Sequence, residues 1–409
     1  MSKVLGIVAE YNPFHNGHLL HLLKSKEEAN ADYTICVISG NFVQRGNTSI
    51  VNKWVKTEMA LNEGVDLVIE LPTVYAISSA ENFAYGAMKI LNSLKIVDTI
   101  SFGSEFADID SLNKIASVLY SEPKKYTDFL SAELKKGFSF PKARENALLL
   151  YLNNTNYSSL LSEPNNILGI EYLKALKKLK SHIKPIAIKR EKAFYNSTCI
   201  VDEYASATAI RKMIKNEQFN DIRKVMPRSS YDLLVQEFEN GQCVLDISNF
   251  EKEILYTIRK LSINELKQFP DVNEGLENSI KNAANSCNNL EELIFLVKSK
   301  RYTQTRLQRI LLSILLNIKK KDILLSKKTH PYIRVLGCNS KGKELISEIY
   351  KNNPKINLVT SVKSFMSNSN NKTAKYLLHK DIFASDVYTL AFNKNSVANL
   401  DYTKRIITK

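Results

Sequence analysis

The chain has 409 residues, 44% hydrophobic and 24% charged, which is typical of a globular protein that buries a large core and divides into two or three domains. It has no apolar run near the roughly 18 residues that a membrane span requires, and no signal-like segment opens it, so we expect neither a membrane protein nor a secreted one. The net charge of +15 lies in the last quarter: residues 1–300 carry 36 basic and 36 acidic residues, and residues 301–409 carry 21 and 6.

The first predicted elements are a short buried strand, Val4–Ala9, and a helix that begins close to His18. The sequence His15-Asn16-Gly17-His18 occupies the turn between them. The first N–H groups of a helix lack partners and its dipole is positive there, two imidazoles can donate to phosphate oxygens, and Gly17 allows a close approach to the backbone. The pattern favours a nucleotide-binding site, and a pair of merely structural histidines is the alternative.

Strand and helix patterns alternate up to about residue 105. Strands are predicted over Tyr33–Ser39, Val65–Glu70 and Thr99–Phe102, and helices over Val51–Gly64 and Ser79–Leu94. This alternation predicts an α/β fold with a parallel sheet, in which ligands bind at the carboxyl ends of the strands. Further along, the patterns predict helices over residues 110–154 and 166–180, a strand over His182–Ile188 and a helix over Ser206–Lys215.

Several segments follow the predicted strands and are expected to meet at that edge. The loop Ser39–Gly46 carries one cation between glycines, Gly103 follows a strand, and Asn165 precedes a helix. Each of these three also fits an ordinary turn or a helix cap. Arg190 follows the last strand, and the segment Ser206–Arg211 places two hydroxyls and an arginine at a helix start. These residues predict a second phosphate-binding helix terminus.

Residues 227–409 are predicted to form a basic, mostly helical C-terminal region with a small α/β end. Within it, residues 229–320 are predicted to be helical, and Thr303–Ile318 is amphipathic with Arg306 and Arg309 on its outer side. Short strands are predicted over Tyr332–Leu336 and Ile356–Val359. The segregated positive charge favours a surface that binds a polyanion, and a basic surface that only maintains solubility is the alternative.

The cysteines indicate a reducing compartment. There are five of them, an odd number without a C-x-x-C pair: Cys36, Cys199, Cys243, Cys287 and Cys338. We therefore expect reduced, structural thiols and a cytoplasmic location. The sequence contains no cluster of His, Cys and carboxylate residues that would hold a metal ion firmly, so no protein-held metal site is predicted.

Two motifs together carry a resemblance to a known superfamily. HNGH near the start and SATAIR at Ser206–Arg211 resemble the HIGH-motif nucleotidyltransferases, in which the second motif grips the triphosphate. The K-M-S-K-S signature of class I aminoacyl-tRNA synthetases is absent, which argues against a synthetase. Eight segments, in order, resemble the bacterial tRNA(Met) cytidine acetate ligase family: GIVAEYNPFHNGH, SGNFVQRG, VNKWVKTEMAL, GVDLVIELP, SAENFAYGA, SFGSE, EPNNILGIEYLKAL and SKRYTQTRLQRIL.

The resemblance implies a Rossmann-like nucleotidyltransferase domain at residues 1–226 that binds ATP, followed by a tRNA-binding region at residues 227–409. It implies a ligase that forms a carbon–nitrogen bond. Acetate attacks the α-phosphate of ATP to give acetyl-adenylate and pyrophosphate. The wobble cytidine of elongator tRNA(Met) then takes the acetyl group, giving N4-acetylcytidine and AMP. Magnesium ion is expected to bridge the phosphates.

The resemblance also implies site residues. His15 and His18 are the expected catalytic residues, because donors that strengthen as charge builds on the phosphates speed the reaction. ATP is expected to contact Ile7, Val8, Ala9, Glu10, Tyr11, Asn12, Pro13, Phe14, His15, Asn16, Gly17, His18, Leu19, Leu20, Gly103, Asn165 and Arg190. The superfamily motif adds Ser206, Thr208 and Arg211. His21 is expected to pack one helical turn beyond His18.

A stripe of cations is expected to follow the tRNA backbone: Lys298, Lys300, Arg301, Arg306, Arg309, Lys319, Lys320 and Lys321. Two other functions stay open. One is a small-metabolite adenylyltransferase, which would not need a polyanion surface. The other is an RNA-binding protein whose nucleotide site is vestigial or regulatory.

Overall fold

The fold is built on one large β-sheet, seen in a computed structural model that describes residues 2–153, 157–190, 204–299 and 301–409. The strands within these residues are β1 Val4–Ala9, β2 Tyr33–Ser39, β3 Phe42–Val43, β4 Asn47–Thr48, β5 Leu67–Leu71, β6 Thr99–Ser104, β7 Lys184–Lys189, β8 Tyr332–Cys338, β9 Asn357–Val359 and β10 Ile407–Thr408. Strands β3 and β4 form a separate antiparallel hairpin, and the other eight belong to the large sheet.

Helices cover the sheet and form most of the region between β7 and β8. In the first part of the chain they are α1 Asn16–Ala29, α2 Lys53–Asn62, α3 Thr73–Ala76, α4 Ala80–Leu94, α5 Ile109–Ser121, α6 Lys124–Lys135, α7 Phe140–Leu152, α8 Tyr157–Ser162 and α9 Pro164–Lys178. After β7 they are α10 Ala207–Lys215, α11 Phe219–Val225, α12 Arg228–Glu239, α13 Glu251–Lys260, α14 Ile263–Leu266, α15 Leu276–Ser286, α16 Leu290–Val297, α17 Gln304–Leu315 and α18 Lys320–Lys328. The last are α19 Ser340–Asn352, α20 Val362–Asn368, α21 Lys372–Thr389 and α22 Leu400–Thr403, and a 3-10 turn covers Ile247–Phe250.

The order of strands in the sheet determines where a ligand can bind. The order is β10-β8-β5-β2-β1-β6-β7, with β9 beside β8. From β1 the chain proceeds to β2 and β5 on one side, then crosses to β6 and β7 on the other, and these five strands are parallel. In sheets of this kind the crevice forms where the direction of winding reverses, at the carboxyl ends of β1 and β6.

Both faces of the central strands are buried, which explains their continuous apolar sequences. Successive side chains of a strand point to opposite faces, so Ile35 and Val37 of β2 join one core while Cys36 and Ile38 join the other. The first core includes helices α4, α5 and α9, and the second includes α1, α2 and α10. The sheet is therefore a rigid support for the loops at its carboxyl edge.

Strands from the end of the chain extend this same sheet. β8 pairs antiparallel with β5, and β9 and β10 pair with β8. The place of these strands was not predicted. The division into domains at residue 226 stays a prediction, although strands from both sides of it share one sheet.

The predicted α/β fold with a parallel sheet and a mostly helical second half is confirmed. Helix α1 begins at Asn16, earlier than predicted, because His15 caps it. β6 continues to Ser104, and β7 begins only at Lys184. Within the described parts of the chain, no helix is long and apolar enough to cross a membrane. The prediction of reduced thiols holds for the described cysteines, since Cys36, Cys243, Cys287 and Cys338 are free; Cys199 lies outside the described residues.

Candidate active site

A cavity of about 640 Å³ opens at the carboxyl ends of β1 and β6, within the size range of small-molecule sites. Its walls come from the β1–α1 turn, the β3–β4 hairpin, the ends of β6 and β7, and the first turns of α4, α9, α10 and α17. Side chains on the wall that carry a polar group are Glu10, Tyr11, Asn12, His15, His18, His21, Gln44, Arg45, Asn47, Asn165, Tyr172, Arg190, Ser206, Thr208, Arg211, Thr305 and Gln308. The sheet thus brings together segments as far apart in sequence as Ile7 and Gln308.

The two histidines of the β1–α1 turn cap helix α1 reciprocally. Nδ1 of His15 accepts the N–H of Gly17 at 3.1 Å, and Nδ1 of His18 accepts the N–H of His15 at 3.3 Å. The rings stack with their centroids 3.7 Å apart. Because each Nδ1 is an acceptor, the proton of each neutral imidazole resides on Nε2. The local sequence therefore fixes two N–H donors at the rim of the cavity.

The electrostatic environment keeps these imidazoles neutral. Burial, assisted by the charges of Arg190 and Arg211, lowers the pKa of His15 to about 3. Burial and the neighbouring His15 lower the pKa of His18 well below its ordinary value. Burial also lowers the pKa of His21 to about 4. At neutral pH the imidazoles contribute hydrogen bonds, and the arginines contribute the positive charge that favours a phosphate.

Helix α10 presents a second set of donors to the cavity. Oγ of its N-cap residue, Ser206, accepts the N–H of Ala209 at 3.1 Å, and Ser206, Ala207 and Thr208 at the start of the helix line the cavity. Arg211 donates to the carbonyl of Asn12 at 2.9 Å and to Oγ1 of Thr208 at 3.1 Å. This arginine ties α10 to the turn that carries the histidines, so the two helix starts face one ligand space.

The cavity has an apolar part next to the end of β6. Phe83, Phe102, Leu168 and Tyr172 line it, and the rings of Phe102 and Tyr172 lie 5.8 Å apart. A Cβ on Gly103 would lie 3.1 Å from Cδ of Arg190, so the missing side chain lets this arginine lie over the strand end. Flat apolar walls beside an arginine suit a nucleobase with its attached phosphates.

The hairpin β3–β4 and helix α17 form a polar part of the wall. Gln44, Arg45 and Asn47 of the hairpin region line the cavity, as do Thr305 and Gln308 of α17. The two elements touch at Gly46, whose φ is +77° and whose Cβ would lie 2.7 Å from the backbone nitrogen of Arg309. The predicted loop Ser39–Gly46 thus reaches the site, whereas nothing in the sequence placed α17 there.

Two charged residues fix the loops that follow β1 and β2. Nζ of Lys56 donates to the carbonyls of Glu10, Ser39 and Gly40 at 3.0, 2.7 and 2.7 Å. Burial lowers the pKa of Lys56 to about 7. Oε1 of Glu10 accepts the N–H of Gln44 at 2.6 Å, which attaches the hairpin to the end of β1. Lys56 was missed from sequence because its three acceptors are backbone atoms of other segments.

The arrangement agrees with what the chain is similar to. The sequence profile of the HIGH Nucleotidyl Transferase family matches residues 2–402. A tRNA(Met) cytidine acetate ligase of Thermoanaerobacter sp. (strain X514) is 49% identical over 99% of both chains, and one of Clostridium perfringens (strain ATCC 13124) is 44% identical over 98% of both. Crystal structures of Thermotoga maritima TmcAL, 34% identical, superpose over 99% of both chains, with TM-scores of 0.95 for the apo form and 0.92 for the form bound with alpha-thio ATP.

The chain belongs to the tRNA(Met) cytidine acetate ligase family. The resemblance found in its sequence motifs is thereby confirmed, as is the HIGH nucleotidyltransferase superfamily. The similarity extends over the whole chain, so the strands and helices beyond residue 226 are part of what this family shares.

Most of the residues predicted to contact ATP line the cavity of this acetate ligase. They are Ile7, Val8, Ala9, Glu10, Tyr11, Asn12, His15, Gly17, His18, Gly103, Asn165, Arg190, Ser206, Thr208 and Arg211. Asn165 also donates to the Glu105 carboxylate, which holds the start of α9 against the end of β6. His21, which was expected to pack, lies on the wall with Nε2 3.3 Å from Oγ of Ser101.

Five residues of the predicted ATP set lie off the cavity wall: Pro13, Phe14, Asn16, Leu19 and Leu20. Phe14 is fully buried in the core, and Asn16 donates from Nδ2 to the carbonyl of Lys224 at 3.1 Å. The two leucines follow His18 on a helix, and successive helical residues point in different directions. A continuous stretch of sequence therefore overestimates the set of residues that face the cavity, and contact of each residue with ATP stays a prediction.

The predicted basic stripe divides into exposed and half-buried residues. Lys298, Arg301 and Lys321 are exposed, and Lys300 lies outside the described residues. The prediction that Arg306 and Arg309 face outward is wrong, since both are half-buried and Arg306 donates to the carbonyl of Asp271 at 3.0 Å. Their helix packs its basic side against the loop after α14 and the β3–β4 hairpin.

Two further lysines of the stripe support the fold locally. Nζ of Lys319 donates to Oε1 of Gln268 at 2.9 Å, and Nζ of Lys320 donates to the carbonyls of Lys267 and Val272 at 2.8 and 2.9 Å. Contact of any of these cations with tRNA stays a prediction. The structure does show that their surroundings differ, which makes them separable by experiment.

Proposed function

We propose that this chain uses ATP to join acetate to the wobble cytidine of elongator tRNA(Met), giving N4-acetylcytidine, as an acetate–cytidine ligase. Relatives that match this chain over 98–99% of both lengths are named tRNA(Met) cytidine acetate ligase. A related structure is bound with alpha-thio ATP. The observation that carries the proposal is the pair of neutral, stacked imidazoles that share a cavity with the N-terminus of α10 and three arginines.

In the first step a carboxylate oxygen of acetate attacks the α-phosphorus of ATP, and pyrophosphate leaves. Nε2–H of His15 and of His18 would donate to oxygens of the α-phosphate and of the leaving pyrophosphate. Arg190 and Arg211 would balance the charge that accumulates on them. Donors that are fixed before the reaction stabilise such charge without reorganisation, and losing one typically costs about 3 kcal/mol in the barrier.

In the second step the 4-amino nitrogen of cytidine attacks the carbonyl carbon of the acetyl-adenylate. The bond to the adenylate oxygen breaks, AMP leaves, and the nitrogen loses a proton. This step needs the base to enter the cavity next to the adenylate, since reactive atoms must approach to about 3–3.5 Å. We assign the acceptor to the polar wall formed by the hairpin and α17.

Magnesium ion would act on the phosphates. Among the described residues no three His, Cys, Asp or Glu side chains come together as a metal site, and Glu10 is the single carboxylate on the cavity wall. These residues fit an ion that arrives with ATP and is held chiefly by phosphate oxygens, as is common for Mg²⁺. The ion would neutralise phosphate charge there.

Residues beyond 226 are proposed to bind the tRNA. Their last 109 residues carry 21 basic and 6 acidic side chains, and phosphate contacts dominate the affinity of proteins for nucleic acids. Exposed Lys298, Arg301 and Lys321 are the simplest candidates for such contacts. A small-metabolite adenylyltransferase would gain nothing from this surface.

The test is to incubate the purified chain with ATP, labelled acetate and a tRNA(Met) transcript, then digest the RNA and identify the nucleosides by mass spectrometry. The expected product is N4-acetylcytidine, formed with AMP and pyrophosphate, and a transcript with uridine at the wobble position is the control that stays unmodified. The proposal fails if the protein neither exchanges pyrophosphate into ATP in the presence of acetate nor labels the tRNA. Adenylylation of a phosphorylated small molecule would instead support the alternative.

A further inference from the structure

Glu10 is negatively charged, whereas the other charged residues that the structure describes on the cavity wall are arginines. Among the wall residues that the structure describes it is the one carboxylate, and it faces the same space as Arg45, Arg190 and Arg211. ATP, acetate and pyrophosphate are all anions, so a carboxylate there opposes the binding of each of them. The negative charge of Glu10 is better suited to the second step, in which the reacting group that enters the cavity, the 4-amino group of cytidine, is uncharged.

The position of Glu10 is fixed on both sides. Its carbonyl accepts from Nζ of Lys56 at 3.0 Å, and Oε1 accepts the N–H of Gln44 at 2.6 Å. No described residue donates a hydrogen bond to the second oxygen, Oε2. A carboxylate held through one oxygen in this way presents the other to the cavity in a defined direction.

Glu10 also lies at the border between two parts of the site. Its hydrogen bond to Gln44 places it against the hairpin that packs on α17, where the wall is polar. Its charge raises the pKa of Arg211, although burial lowers that pKa overall, so Glu10 lies within electrostatic range of the phosphate-binding part. A group at this border is adjacent both to the adenylate and to an acceptor that enters along the polar wall.

We propose that Oε2 of Glu10 accepts a hydrogen bond from the 4-amino group of the incoming cytidine and takes its proton during acetyl transfer. This inference rests on the proposed function. A carboxylate is the natural partner of the cytosine N4–H₂ donor, whereas the O4 acceptor of uridine would meet it with repulsion. Glu10 therefore acts as a proton acceptor in catalysis and helps to select cytosine over uracil.

Acetyl transfer forms one bond and breaks one bond at the acetyl carbon. The N4 lone pair forms a bond to the acetyl carbon, the electrons of the carbonyl move to oxygen and return, and the bond from carbon to the adenylate oxygen breaks. AMP departs with that electron pair, and one N4 proton transfers to Oε2 of Glu10, from which it passes to water. No oxidant, reductant or further reactant is required. General bases of this type typically contribute about 10²–10⁴ in rate.

The two half-reactions allow a separate test of this role. Glu10→Gln keeps the size of the side chain and an oxygen for the N–H of Gln44, but it cannot take a proton. Because exchange of pyrophosphate into ATP involves no proton of cytidine N4, we expect this exchange to remain measurable and to change much less than the transfer step. Transfer from preformed acetyl-adenylate to tRNA(Met), measured in a single turnover, should fall by about a hundredfold or more. Glu28→Gln, at an exposed carboxylate of α1, is the matched control and should change neither rate.

Two results would overturn the inference. Equal loss of exchange and transfer in Glu10→Gln would mean that Glu10 serves ATP or its magnesium ion. An unchanged transfer rate would mean that the carboxylate does not meet the acceptor. Retained exchange also shows that the variant is folded. Absence of exchange and of tRNA labelling in the wild-type protein would count against the proposed function instead, so the two failures are distinguishable.

Discussion

Nζ of Lys53 lies 2.8 Å from Oδ1 of Asp401, and the side chains are 0% and 1% exposed although 348 positions separate the residues. Lys53 also donates to both carboxylate oxygens of Glu70 at 2.9 Å. The three side chains connect helix α2, strand β5 and helix α22 inside the molecule. The end of the chain is therefore attached to the sheet that carries the active site.

Replacing this lysine should destabilise the whole protein. Lys53→Met leaves the buried carboxylate of Glu70 without its cation and leaves Asp401 with Arg334 alone, at 3.9 Å. Breaking a buried pair from one side typically costs about 3–5 kcal/mol. The free energy of unfolding, measured in urea, is expected to fall by that amount. The control is Lys142→Met, which removes an ion pair whose lysine side chain is 50% exposed and should have little effect. Equal effects of the two substitutions would contradict the prediction.

The strands and helix starts that depend on short stretches of sequence were predicted from the sequence. Buried strands such as Val4–Ala9 and Tyr33–Ser39 have continuous apolar sequences, and the turn at His15 combines a strand end, a helix start and two imidazoles within a few residues. For the same reason the second helix terminus at Ser206 could be recognised. These features need no knowledge of distant segments.

Contacts between distant segments could not be predicted in this way. Pairing of β8 with β5, packing of Gly46 on Arg309, and the hydrogen bonds of Lys56 to three carbonyls each depend on the folded arrangement. The same limit explains the misplacement of Arg306, because an amphipathic pattern shows which face is polar but not what covers that face. The polar wall of the site was invisible in sequence for this reason.

A substitution at His15 separates its structural role from its chemical one. His15→Asn retains a side chain that caps helices well, so α1 should persist. It removes the Nε2–H donor, and the acetate-dependent exchange of pyrophosphate into ATP should slow by roughly a hundredfold or more. Thermal unfolding of the variant serves as the control for folding. Exchange at the wild-type rate would show that the imidazole does not act on the phosphates.

The lowered pKa of His15 also predicts how the stability of the folded protein depends on pH. The pKa of His15 is lowered to about 3 in the folded protein from its ordinary value of 6.5, so between these values the unfolded chain binds a proton that the folded chain does not. Stability therefore falls as the pH drops below 6.5, by at most about 1.4 kcal/mol per pH unit from this group. His15→Asn should lose less stability than the wild type between pH 6.5 and pH 4.5 in urea titrations. Parallel pH profiles would contradict this account.

Contact between the hairpin and α17 can be tested with a pair of glycines. Gly46 and Gly137 both have positive φ, +77° and +84°, but a Cβ on Gly46 would meet α17 whereas one on Gly137 would meet nothing within 4 Å. Both alanine variants carry the same kind of backbone strain. We expect only Gly46→Ala to lower the rate of acetyl transfer to tRNA, because it displaces the polar wall. Similar transfer rates in the two variants would show that this contact does not shape the site.

The basic stripe should divide into residues that bind tRNA and residues that support the fold. Arg301→Gln removes a side chain that is 68% exposed, and the slope of log affinity for tRNA(Met) against log salt should flatten by about 0.7–0.9 if it contacts one phosphate. Lys320→Gln removes the donor that holds the carbonyls of Lys267 and Val272, so it should lower the melting temperature while leaving that slope nearly unchanged. Filter binding at several salt concentrations and thermal unfolding measure the two effects. The opposite pattern, a flatter slope for Lys320→Gln and a lower melting temperature for Arg301→Gln, would exchange the roles of these residues and place the tRNA path along α18.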